Sequence, residues 1–78
     1  MSSKNEISLC VARAMERYFA DLDGEAVTGV YEMVLRQVEI PLLTAVMQQT
    51  GNNQTQAAEM LGMTRNTLRR KLIEHGLL

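Results

Sequence analysis

What this chain lacks narrows its chemistry first. It has no tryptophan, one phenylalanine and two tyrosines among 78 residues, so aliphatic side chains and six methionines must supply any core. A single cysteine, Cys10, excludes an internal disulfide and reads as a small apolar residue in a reducing cytoplasm. One histidine, His75, and no His/Cys cluster at ligand spacing leave no metal site to assign. At the end of the last helix, His75 is expected as a partly exposed ring beside helix carbonyls. Asp21, Asp23 and Glu25 read as a solvated turn. Without a nucleophile and a positioned base there is no catalytic residue to name, and no cofactor or small-molecule ligand is evident. No apolar run approaches the length of a membrane span, and the polar start MSSKNE is no signal peptide. The expectation is a soluble, cytoplasmic protein.

A chain this short makes one small domain whose own core is marginal, and small helical chains gain stability by associating. Its net charge of −1 hides an asymmetry. Residues 1–51 carry four basic side chains (Lys4, Arg13, Arg17, Arg36) against seven acidic ones, a net of −3. Residues 52–78 carry Arg65, Arg69, Arg70 and Lys71 against Glu59 and Glu74, a net of +2. A local positive patch, not the total, is what an anionic partner meets.

The spacing predicts four helices and no strand. Residues 1–6 are polar and expected as a disordered arm. From Ile7, the positions Val11, Met15, Tyr18, Phe19 and Leu22 follow helical periodicity, and the turn formers DLDG (21–24) end the first helix. The second helix is expected from about Glu25 to Gln49, with Val27, Val30, Tyr31, Val34, Leu35, Val38 and Leu42 along its apolar stripe. At about 1.5 Å per residue this helix would reach roughly 37 Å, longer than so small a domain can cover by itself. That length, with the width of the stripe, favours residues 7–50 as dimerisation helices over a monomeric four-helix cluster. Pro41 lies inside the second helix. A kink is expected in preference to a break at Ile40, because the stripe keeps its phase on both sides.

The last third, residues 53–78, organises the rest. Asn53 is positioned to cap a helix, with Gln56 three residues on. Ala57, Ala58 and Leu61 make a small-residue face, and Gly62 follows where a chain leaving a helix needs a left-handed conformation. Met63 is an apolar plug and Thr64 a second cap, so two residues separate the helices, as in a helix-turn-helix. In the second of these helices Leu68 and Leu72 stack on one side, with Asn66 and Arg70 opposite and Thr67 and Arg69 on the flanks. Arginine forks onto guanine edges, while hydroxyls, lysine and helix-start amides suit phosphates. An ordinary hairpin with a solvated basic face would need both caps, the glycine turn and the one-sided cations to coincide.

The stretches ERYFADLDG, VYEMVLRQVEIPLL, GNNQTQAAEMLGMTRNTLRRKL and the closing HGL resemble the Fis family of nucleoid-associated proteins over nearly the whole chain. The last stretch alone also resembles the C-terminal DNA-binding domain of NtrC-like activators. YFADLDG and the proline-bearing helix decide between them, and a start at methionine is expected of a whole small protein. The resemblance implies an all-α homodimer with an intertwined core from the first two helices and two helix-turn-helix units that bind and bend double-stranded DNA. Nucleoid organisation and transcriptional regulation would follow. It also implies Arg65 as base reader, helped by Asn66 or Thr64, with Asn53, Thr55, Thr67, Arg69, Arg70 and Lys71 on phosphates. Three features depart from the family pattern. The short N-terminal arm argues against recombinase activation, Thr64 stands where the family often has Asn, and Gly51-Asn52 replaces a basic residue and glycine. The rival reading is a helical protein-interaction module using the methionine and valine stripe.

Overall fold

The computed structural model describes residues 3–78, with side chains from Asn5 onward. Four helices follow in order: α1 (Ser3–Asp21), α2 (Val30–Gln49), α3 (Gln54–Leu61) and α4 (Arg65–Glu74), with no strand among the described residues. The all-α, four-helix reading is correct. Two boundaries differ from expectation. Residues 3–6, expected as part of a disordered arm, form the first turn of α1, and residues 1–2 lie outside the described residues.

The second helix begins at Val30, not near Glu25. Gly29 before it sits at φ 74°, and residues 25–29 are non-helical. The cause is local. β-Branched Val27 and Thr28 lose rotamer freedom in a helix, and a left-handed glycine interrupts the helical backbone. Val27 therefore lies in the connection and not on the stripe of α2. The helix spans 20 residues, about 30 Å rather than 37. It runs unbroken through Pro41, which leaves the Gln37 carbonyl without its usual amide partner.

The core sits entirely toward the C-terminal end. All five buried hydrophobic residues among those described belong to it: Leu43 from α2, Ala57 and Ala58 from α3, Leu68 and Leu72 from α4. Val46, Met47, Leu61 and Met63 pack around them, half-buried. The alanines let α3 approach closely, so the two leucines of α4 fill the space against Leu43. Burying each leucine contributes about 1.5–3 kcal/mol.

The N-terminal half looks different. Val11, Met15, Tyr18, Val27, Val30 and Val34 are only half-buried, and Phe19, Tyr31, Leu35, Val38 and Leu42 are exposed. Tyr31 is 75% exposed and Phe19 51%. Between α1 and α2 lies an open groove of about 270 Å³, lined among others by Val11, Met15 and Tyr18 on one side and Met33, Val34 and Val38 on the other. No helix is long and apolar enough to cross a membrane among the described residues.

Candidate nucleic-acid interface

Local chemistry builds both short helices. The Gln56 amide donates to Asn53 Oδ1 at 3.1 Å, capping α3. Its other end closes on Gly62 at φ 78°. There the Met63 amide donates to Ala58 O at 3.0 Å and the Gly62 amide to Glu59 O at 3.1 Å, the paired bonds of a Schellman ending. A side chain at Gly62 would strain that left-handed turn. Two residues later the Thr67 amide donates to Thr64 Oγ1 at 3.2 Å, starting α4, and the Thr64 hydroxyl donates to Thr67 Oγ1 at 2.9 Å. Asn53 and Thr64 thus first serve as caps, and the Thr67 hydroxyl is the acceptor for that of Thr64. The helical pattern leaves the amides of Arg65 and Asn66 without intrahelical acceptors, at the positive end of α4.

With Leu68 and Leu72 buried inward, Asn66, Arg69 and Arg70 are held on the outer face of α4, and Arg65 stands exposed at its start. Thr55 is exposed in the first turn of α3. Arg70 meets Glu74 at 4.0 Å, a solvent-exposed pair one turn apart that contributes little. Ile73, 53% exposed, adds an apolar side chain to this outer side, which the sequence reading did not single out.

Lys71 stands apart. The resemblance implied a phosphate contact, but its ammonium donates to Glu39 Oε2 of α2 at 2.9 Å. His75 meets the other oxygen of the same carboxylate, with Nε2 2.8 Å from Oε1. An ionised carboxylate only accepts, so Nε2 carries the proton. The expectation of a partly exposed His75 is corrected: its side chain is 2% exposed, and Nδ1 is buried without a partner. The hydrogen bonds from His75 and then Lys71 hold the Glu39 carboxyl below its ordinary range, against the opposing effect of desolvation. Glu39 carried no distinctive sequence signal, because its partners lie 32 and 36 residues away.

A short capped helix, a two-residue glycine turn and a second capped helix with a cationic outer face define a helix-turn-helix protein. The family model "Bacterial regulatory protein, Fis family" matches residues 34–75. Two proteins of Neisseria meningitidis, serogroups A and B, each provisionally named a Fis-like DNA-binding protein, are 59% identical over 73 residues, covering 94% of this chain and 92% of theirs. One of Ralstonia nicotianae with the same provisional name is 51% identical over 76 residues, covering 97% of this chain and 99% of its own. The chain belongs to the Fis family.

Proposed function

We propose that the chain acts as a homodimer that binds and bends double-stranded DNA through its two helix-turn-helix units, organising the nucleoid and regulating transcription in the cytoplasm. The observation that carries DNA binding is the outer face of α4. Arg65, Asn66, Arg69 and Arg70 project together beside two capped helix starts, with no ion pair for Arg65 or Arg69 among the described residues. Arginines and helix-start amides displace counterions along the phosphates, and Arg65, exposed at the start of α4, is the residue proposed to read a base edge.

Support for the dimer comes from shape. The Cα radius of gyration is 15.0 Å, where a compact domain of this length has about 11.5 Å. The accessible surface is 6124 Å², roughly 1,300 Å² more than a folded monomer of this mass exposes. That excess is larger than the about 800 Å² per partner of a standard interface and matches the larger interfaces of obligate homodimers, which supports a second copy seated on the apolar face of α1 and α2. The relatives are matched over 92% and 99% of their own lengths, which favours this reading over the C-terminal module of a long activator. Two recognition helices held at a separation set by the dimer admit DNA that deforms to meet them, so preference would follow bendability as well as base contacts.

A gel-shift titration with circularly permuted duplexes at two salt concentrations tests the proposal. Affinity falling steeply with salt, and mobility depending on the position of the site, are expected. Binding without position dependence removes bending, and no binding at low salt removes the DNA reading altogether.

A further inference from the structure

Both oxygens of the Glu39 carboxylate are occupied, one by Lys71 of α4 and the other by His75, which caps the C-terminal end of that helix. Lys71 and His75 are four apart, so they stand one above the other on the side of α4 that faces α2. They lie 2.9 and 2.8 Å from Oε2 and Oε1. The three side chains are mostly withdrawn from water, with Lys71 28% and Glu39 23% exposed. Two attachment points one turn apart restrain both the tilt of α4 against α2 and its rotation about its own axis. They also neutralise one of the four basic residues in the positive third of the chain. The depression around this cluster is lined besides by Glu32, Leu35 and Arg36 of α2 and Glu74 of α4, and the carboxylate that meets the Lys71 ammonium is that of Glu39.

We propose that Glu39 is a positioning and specificity-determining residue for duplex binding: it withholds Lys71 from the phosphate backbone and, through Lys71 and His75, fixes the recognition helix to α2. This inference rests on the DNA-binding reading above. The cations that meet phosphate are then Arg65, Arg69 and Arg70, carried on a helix whose orientation is set before DNA arrives. A lysine on a flexible stem, free to follow any phosphate, would add affinity for every duplex alike. Held by Glu39, it contributes to geometry instead.

Each phosphate neutralised steepens the fall of log affinity with log salt by about 0.9, or roughly 3.5-fold in affinity over a fourfold change in salt. The experiment measures that slope on one duplex of unrelated sequence for the wild type, Glu39→Gln, Lys71→Met and the double variant, with circular dichroism melts alongside. Glu39→Gln frees Lys71, so tighter binding and a slope steeper by about 0.9 per protomer are expected. Lys71→Met removes a cation that is already committed, so its slope should equal that of the wild type. In the Lys71→Met background, Glu39→Gln should no longer move the slope. A wild-type slope that drops on Lys71→Met overturns the proposal, and this arm does not require Glu39→Gln to fold. So does an unchanged slope in Glu39→Gln, or a change that persists when Lys71 is absent, which would reflect general loss of negative charge. If the wild type itself fails to bind at low salt, the DNA reading fails instead, so the two failures are distinguishable.

Discussion

The two ends of this molecule solve the burial problem in opposite ways. From Leu43 to Leu72 the chain encloses its own core: two leucines of α4, one of α2 and two alanines of α3 are withdrawn from water. From Ile7 to Leu42 it carries more large apolar side chains and buries none of those described, leaving Ile7, Phe19, Tyr31 and Leu42 among the exposed ones. The difference is one of side-chain size and connection. Ala57 and Ala58 let helices meet at close range, and a two-residue turn brings α4 back on α3. The eight non-helical residues between α1 and α2 leave the two helices with a groove between them. A C-terminal unit that is complete and an N-terminal one that is unfinished teach that the chain's stability is divided. One part rests on the core the chain encloses, and under the proposed dimer the other would rest on a second copy covering its apolar face.

That contrast can be broken at either end. Leu68→Ala removes a fully buried side chain from the only core among the described residues, and should cost about 2–5 kcal/mol, most of the stability of so small a domain, in a denaturant melt. A loss near zero would mean that the C-terminal unit does not stand on this core. Val34→Asp places a carboxylate in the groove between α1 and α2. It should weaken self-association by about 3 kcal/mol, roughly a hundredfold, in sedimentation equilibrium while helicity of the C-terminal unit persists. An unchanged molecular mass would count against a second copy as the cover.

Smaller effects separate the roles within the C-terminal half. Arg65→Ala should reduce discrimination between DNA sites by about 1–3 kcal/mol, whereas Arg70→Ala should weaken all sites alike and flatten the salt slope. Equal loss at every site from Arg65→Ala would contradict base reading. Thr64→Ala deletes the acceptor for the Thr67 amide and should cost about 1 kcal/mol in thermal stability, with the N-terminal helices indifferent to it.

The smallest effect is acidic. The Glu39 carboxyl is held below its unfolded value near 4.5, so its pairing stabilises the fold above that pH and is lost as pH falls through the lower folded value. Melts from pH 6 downward should show a loss of about 1 kcal/mol or less beginning below pH 4.5, absent in Glu39→Gln. The same loss in both proteins would assign acid sensitivity to other carboxylates.

Much of this was legible from residues alone, and what was legible was local. Asn53 with Gln56, Gly62, and Thr64 with Thr67 announce their hydrogen bonds within three or four positions, so α3, α4 and their turn follow from short-range rules. The outward arginines follow from the same periodicity once Leu68 and Leu72 are assigned inward. The start of α2 was missed because an apolar stripe continued back to Val27 in phase, while Gly29 took a left-handed conformation that ended it.

By itself, then, the order of residues determined the helices, their caps and the cationic face, because backbone hydrogen bonding and side-chain direction repeat over a few residues. Only the tertiary structure decided that Glu39 would hold Lys71 and His75 and that the His75 ring would be withdrawn from water. It also decided which apolar side chains would be enclosed and which left bare. Those outcomes depend on how helices separated by more than thirty residues come together, and no local rule carries that distance.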